Sequence, residues 1–366
     1  MKYNWEHKNW PEFNYNPSVI DQLVIEFASE SGEVKGIMEG LPDNFKQEAV
    51  LQFMIDEAMK TSEIEGEYYS RHDVMSSIKN RLGLQVEHKF IKDKNARGIG
   101  ELMVEVQQDF AKPLSAKLIK SWHTILFDND RFINKGQYRT GDEPMVIVSG
   151  RYGKEEIHYQ APPSTKVPSE MKRFVDWYEN FKIRSKDLKS ALIKTAIAHL
   201  YFESIHPFED GNGRIGRAIA EKCLSEALGR PIVMSLSTVI EHDKKTYYDA
   251  LKQAQRTLDL TPWILYFTQT ILMAQNHAKK LIRFTLRKAT FLDAHSQVLN
   301  ERQRKVILKI LDKGLDGFKG GMTAKKYISI AKTSKATATR DLQDLVDKGV
   351  FILKGAGRST YYELKF

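Results

Sequence analysis

A single cysteine, Cys223, stands in 366 residues, which excludes an internal disulfide and a thiolate zinc cage. It falls at an apolar position of a helical pattern and reads as core filler. Proline is also scarce, at 11 residues beside 22 glycines, so the chain is neither collagen-like nor low in complexity. Uninterrupted apolar stretches end after four or five residues, as at Met145 to Val148, whereas a bilayer-spanning helix needs roughly 18. No membrane partner is expected. The opening MKYNWEHKNW lacks the apolar centre of a secretory signal, and a cytoplasmic chain is the expectation.

The chain does have enough apolar substance to fold, with 42% hydrophobic and 28% charged residues. At about 150 residues per domain it should hold two or three domains. Its +9 formal charge is concentrated, because residues 301–366 carry 15 basic and 7 acidic side chains. Such a segment attracts polyphosphate or nucleic acid, or is simply a solvated surface.

Apolar residues recur at three- and four-residue steps over most of the length, which predicts helices at about 20–37, 47–65, 70–82, 95–110, 167–184, 189–205, 215–228, 244–258 and 261–284. Residues 1–20 break this pattern. Trp5, Trp10, Phe13 and Tyr15 lie among Asn and Pro, and Pro11 and Pro17 prevent a long helix, so an extended arm that docks its aromatics elsewhere is expected. Met145-Val-Ile-Val-Ser, Gly150-Arg-Tyr-Gly and Glu156-Ile-His-Tyr, closed by Pro162-Pro163, spell a β-hairpin.

Chemistry concentrates between two of the helices, in His206-Pro-Phe-Glu-Asp-Gly-Asn-Gly-Arg-Ile-Gly-Arg217. Gly211 and Gly213 permit backbone conformations and a close approach that a Cβ would forbid, so N–H groups can face phosphate oxygens. The following helix offers its positive end, and Arg214 and Arg217 lie three apart on its first turns. Asp210 supplies a hard oxygen ligand of the kind that holds Mg²⁺ beside phosphates. His206 can take a proton from a hydroxyl near neutral pH, while Phe208 anchors the loop in the core.

This segment matches all eight specified positions of His-x-Phe-x-(Asp/Glu)-Gly-Asn-Gly-Arg-x-x-Arg and resembles the signature of Fic-domain proteins. The resemblance implies a mainly α fold: an all-helical Fic core over about 113–275 with a β-hairpin flap, a helical N-terminal region over 1–112, a linker helix over 276–300 and a last domain over 301–366. It implies transfer of AMP from ATP to a Tyr, Thr or Ser hydroxyl of a target protein, with Mg²⁺ as cofactor. His206 would be the general base and Asp210 the metal ligand. Gly211, Asn212, Gly213, Arg214, Ile215, Gly216 and Arg217 would bind the nucleotide. Ile157, on the hairpin, would clamp the target, and Tyr248 with Gln255 would contact the base. Related kinases carry lysine at the position of Gly213, so glycine favours nucleotidyl transfer.

Upstream, Thr61-Ser-Glu-Ile-Glu65-Gly66 places Thr61 and Glu65 on one helix face, with Gly66 suited to end it. It resembles the family's inhibitory motif, (Ser/Thr)-x-x-x-Glu-(Gly/Asn), which implies that Glu65 pairs with Arg217 and excludes a productively bound triphosphate. The same carboxylate suggests AMP removal as an alternative activity. Residues 301–366 resemble a winged helix-turn-helix, with Ser334 or Lys335 opening a recognition helix, Lys335, Thr337, Thr339 and Arg340 facing a DNA groove, and Lys354 to Arg358 as the wing. A DNA-binding regulator whose Fic domain senses nucleotide is therefore the rival reading. Self-modification and a homodimer remain open as further partner classes.

Overall fold

The computed structural model describes residues 2–84, 91–128, 130–149, 156–183 and 187–366. The chain divides into two compact units, one of residues 1–32 and 50–278, the other of residues 33–49 and 279–366. None of the described helices is long and apolar enough to cross a membrane.

The aromatic arm forms two short 3-10 turns, Asn4–Glu6 and Pro17–Ile20, before α1 (Asp21–Gly40) and α2 (Asp43–Ile64). Helices α3 (Arg71–Arg81), α4 (Lys94–Gln108) and α5 (Ala116–Leu126) follow. Their boundaries are set by local chemistry. The carboxylate of Asp93 accepts from Asn95 N and Ala96 N at the start of α4, and Ser115 accepts from Leu118 N at the start of α5, each such cap contributing about 1 kcal/mol.

The hairpin is β1 (Val146–Ser149) with β2 (Glu156–Gln160), antiparallel, pairing Ile147 with Tyr159 and Val148 with Ile157 across a bulge. Its Gly150-Arg-Tyr-Gly tip lies outside the described residues. Beyond it come α6 (Val167–Asn180), α7 (Leu188–Ile205), α8 (Asn212–Leu228), α9 (Leu236–His242), α10 (Lys244–Ala254) and α11 (Thr261–His295).

Helix α7 is buried at every position from Ala191 to Ile205, its polar residues Lys194, Thr195, His199, Glu203 and Ser204 included. It runs through the middle of the first unit. Trp122, Phe174, Tyr178 and Phe208 share a core with its own Tyr201 and Phe202, all at under 2% exposure, and Cys223 joins it. Helix α8 packs along α7, so the turn between them is held from both sides.

In the second unit, α12 (Glu301–Leu311), α13 (Ala324–Ala331) and α14 (Lys335–Asp347) precede a hairpin of β3 (Phe351–Lys354) and β4 (Tyr361–Leu364). Val306, Ile307, Tyr327, Leu342, Leu345 and Phe351 form its core. Asp341 is buried there but well paired, accepting from Tyr327 Oη at 2.9 Å and from both Arg302 Nε and Nη2 at 2.9 and 3.1 Å.

Candidate active site

The turn between α7 and α8 begins where the α7 backbone leaves the helix through His206, in the left-handed region at φ 49° and ψ 61°. That is uncommon for a residue with a Cβ, and the surroundings fix it. His206 N donates to Phe202 O at 3.0 Å. Arg139 Nε donates to His206 O at 2.8 Å, and Arg139 N donates to Pro207 O at 2.9 Å. Phe208 is fully buried, and its N and O exchange hydrogen bonds of 2.9 Å with the Asn212 side-chain amide. His123 stacks on the Phe208 ring at 4.0 Å. Its Nδ1 accepts from Gly136 N at 2.9 Å, so Nε2 carries the proton and donates to Asp210 O at 3.2 Å.

Gly211, at φ 79°, ends the turn. A Cβ there would also press on the Phe127 ring, so only glycine satisfies both demands. Helix α8 then begins at Asn212, earlier than the apolar spacing from Ile215 suggested, because its first turn carries polar and glycine positions. The first intrahelical bond runs from Ile215 N to Gly211 O at 3.0 Å, leaving the amides of the opening residues for an anion.

Both arginines of this helix are only 2% exposed, and both are paired. Arg217 Nε donates to Thr61 Oγ1 at 2.7 Å, and its Nη2 donates to Thr61 O at 3.0 Å and Glu65 Oε1 at 2.6 Å. Burial acts to lower the Arg217 pKa, but the Glu65 carboxylate together with the Tyr247 and Tyr248 hydroxyls outweighs it and the net direction is upward. Arg214 Nη1 donates to Glu67 Oε2 at 2.5 Å, and its Nη2 lies 3.4 Å from Asp210 Oδ1. Glu65 and Glu67 lie just past the end of α2, on either side of Gly66 at φ 83°. Gly213 makes the approach feasible, since a Cβ on it would overlap Glu65 Oε1.

Glu65, Gly213, Arg217, His206, Tyr248 and Gln255 line one cavity of about 680 Å³, together with Ile147, His158, Tyr159, Glu203 and Tyr247. Nδ1 of His206 is buried, 3.9 Å from Glu203 Oε2, which leaves Nε2 as the nitrogen a substrate reaches. Burial, reinforced by the positive charge of Arg139, lowers the His206 pKa to about 4. The ring is therefore neutral at pH 7 and able to accept a proton. Burial raises Glu203 to about 8, against the opposing pull of Arg217.

The remaining sequence-predicted residues divide. Ile215 is in the core, and a Cβ on Gly216 would meet Glu203 Oε1, so these two face α7. Gln255 is 2% exposed, its Nε2 3.4 Å from Glu203 O. Tyr248 is partly open, its ring 5.1 Å from that of Tyr247. Ile157, on the flap strand, is 53% exposed. Asp210 keeps half of its side chain in solvent, with Oδ1 2.5 Å from Gly211 N. Among the described residues no group of three or more His, Cys, Asp or Glu side chains gathers as a metal cage. Asp210 fits a metal ion that arrives on phosphate oxygens and needs one protein carboxylate.

Sequence reasoning did not reach Glu203, Arg139, His123 or Glu67. Glu203 had one signal: it is the lone carboxylate of α7, three residues before His206.

The Fic/DOC family model matches residues 113–224, and a model described as a domain of unknown function (DUF4172) matches residues 3–84. An Aquifex aeolicus protein named "probable protein adenylyltransferase" is 31% identical over 118 residues, 32% of this chain and 30% of that protein. "Protein adenylyltransferase Fic" of Nematostella vectensis is 29% identical over 160 residues, 42% of this chain and 34% of that protein. The matched stretch thus spans about a third of the length of these relatives. Among solved structures, a Fic family protein from Desulfovibrio desulfuricans is similar at TM-score 0.56 and 20% identity, covering 97% of this chain and 98% of that one. A Fic domain-containing signaling protein from Bacteroides thetaiotaomicron is similar at TM-score 0.53 and 18% identity, covering 72% and 97%. Residues 113–224 thus match the Fic/DOC family model, and the chain shares its fold with solved Fic family proteins.

Proposed function

We propose that the protein transfers AMP from ATP to a Tyr, Thr or Ser hydroxyl of a target protein and that Glu65 restrains it. The observation that carries this reading is the single cavity in which a neutral His206, the opening of α8 and Arg217 meet. Such a cavity presents a base to an acceptor hydroxyl and positive groups to a triphosphate. His206 Nε2 takes the hydroxyl proton as the acceptor oxygen bonds to the α-phosphorus. The bond from that phosphorus to the bridging oxygen breaks, and pyrophosphate leaves. The amides at Gly211 to Gly213 hold phosphate oxygens, and Arg214 and Arg217 hold the β- and γ-phosphates. Asp210 would hold Mg²⁺, whose charge offsets that of the phosphates. Tyr248 and Gln255, which line the cavity, would contact the base, and Ile157 would clamp a target strand added to the flap.

Restraint is supported by the Glu65–Arg217 pair. A carboxylate on this guanidinium takes the donor that a γ-phosphate needs and repels the phosphate itself. The same position near a bound AMP ester suits it to align a water, so AMP removal is the alternative activity of the site. Labelled ATP given to cell lysate with the Glu65→Gly chain, followed by mass spectrometry, should find AMP on protein hydroxyls. The reading is overturned if labelling persists in a Glu65→Gly, His206→Ala double variant.

The order of α12 to α14 and the β3–β4 hairpin supports reading residues 301–366 as a winged helix, with Ser334 capping α14. Lys335, Thr339 and Arg340 are exposed and Thr337 is half-buried, which suits a DNA-facing helix. On the wing, Lys354 is exposed, while the side chain of Arg358 lies outside those described. Filter binding to duplex DNA should show affinity that falls steeply with salt, and salt-independent or absent binding removes this role.

A further inference from the structure

The N-terminal arm, whose family model carries no function, touches the site at the places where an acceptor would be presented. Asn4 is fully buried and uses all its polar groups. Its N donates to Gln255 O at 2.9 Å, at the end of α10. Its Nδ2 donates to Ser204 Oγ at 2.8 Å, two residues before His206. Its Oδ1 accepts from Trp5 N at 2.8 Å. The Tyr159 hydroxyl, on flap strand β2, shares its proton between Ser204 O at 2.7 Å and Asn4 Oδ1 at 3.2 Å. One arm residue therefore links the catalytic helix, the flap and the edge of the base pocket.

The grip covers three consecutive residues of β2. Trp5 Nε1 donates to Gln160 O at 2.7 Å. The Tyr3 ring meets the Tyr159 ring edge-on at 5.1 Å. Arg256, whose guanidinium lies 4.1 Å over the Tyr3 ring, donates from Nη2 to His158 O at 3.0 Å. An isolated two-stranded hairpin is at best marginally stable, so a flap of this size takes its position from what holds it. Here the arm holds it through Asn4, Trp5 and the Tyr3 ring, beside Arg256 and Ser204.

We infer that residues 3–5 are a positioning element for the acceptor: Asn4 and Trp5 fix β2 at one height over His206, so that a target strand added to the flap presents its hydroxyl to the imidazole. This rests on the transferase reading above. A small misplacement of the flap then costs acceptor use without touching ATP, because the opening of α8 and the arginines are held independently by Asn212, Thr61 and Phe208.

The test uses the full chain carrying Glu65→Gly, alone and with Asn4→Ala or Trp5→Phe. The second variant removes one hydrogen bond while keeping a ring in place, should the first fold poorly. Hydrogen exchange reports the β2 amides. Labelling from α-labelled ATP over a range of lysate concentrations reports the apparent acceptor KM, and slow release of AMP and pyrophosphate to water reports ATP use. The expected result is exchange about tenfold faster at residues 157–160 and an acceptor KM raised about tenfold, with the KM for ATP and water-acceptor turnover within twofold of the parent. Unchanged exchange, or acceptor and ATP parameters falling in parallel, overturns the inference. A parent that labels nothing overturns the transferase reading instead, and the exchange rates alone then decide the grip.

Discussion

Replacing Glu65 by glycine should tighten ATP binding and release transfer, and the structure sets the size of the effect. Arg217 is almost wholly buried, while its partner Glu65 keeps 28% of its side chain in solvent. A charge-assisted hydrogen bond contributes about 1.5–3 kcal/mol, and a triphosphate must displace it to reach the guanidinium. Repulsion between the carboxylate and one phosphate charge at about 4 Å adds up to about 4 kcal/mol at an effective dielectric near 20, much reduced by the solvent around Glu65. A net penalty of about 3–4 kcal/mol corresponds to roughly 100- to 1,000-fold in ATP affinity. Thr61 still holds Arg217 through two bonds, so the fold should survive a loss of about 1–3 kcal/mol. Calorimetric titration with Mg-ATP, beside a pyrophosphate-release assay, measures both quantities. If the variant binds ATP no better than the parent and only its melting temperature falls, the ion pair is structural and the restraint does not exist.

Three further outcomes follow from the same geometry. His206→Ala should cost 10²- to 10⁴-fold in transfer, the usual contribution of a general base, while Mg-ATP binding by titration stays within about twofold; equal losses in both would refute the role. Phe208→Ala, emptying the ring that His123 stacks on, should destabilise by about 3–5 kcal/mol in urea unfolding; a change under 1 kcal/mol would show that the turn is held elsewhere. Acid and alkali should each destabilise the fold, for different groups. Burial holds His123 and His206 near pKa 4 and His199 near 3, so the unfolded chain takes up protons first as pH falls from about 6.5, and stability drops down to about pH 3–4. Glu203, raised to about 8, keeps its proton in the fold while the unfolded chain has lost it, so its contribution falls as pH rises from about 4.5 to 8. Glu203→Gln removes that second slope: its stability relative to the parent should improve by about 2 kcal/mol between pH 6 and 8, and a constant difference would refute it.

What the sequence disclosed and what it withheld follow a physical division. The stretch from His206 to Arg217 was legible because its parts are neighbours in the chain, and a turn between two apolar-periodic helices fixes their relation in space. Thr61, Glu65 and Gly66 were legible for the same reason, within one helix end. The resemblance to a family, rather than spacing, supplied the pairing of Glu65 with Arg217, which lies across 152 residues. Glu67 with Arg214, and Asn4 with Ser204, join positions 147 and 200 residues apart, and no local pattern announces such partners. Arg139 and Glu203 were hidden differently: each acts by being buried, and burial depends on helices packed from elsewhere. The arm was expected to dock its aromatics, but aromatic composition carries no direction, so its targets, the flap for Trp5 and the Tyr201 ring for Trp10 and Phe13, emerged only from the structure.

The central claim, that this turn moves the α-phosphate of ATP with its AMP to a protein hydroxyl, is tested most directly by comparing label position. With the Glu65→Gly chain and an acceptor lysate, label on the α-phosphate should appear on protein and label on the γ-phosphate should not. Transfer of the γ-label would contradict the account, as would α-label that appears equally with His206→Ala.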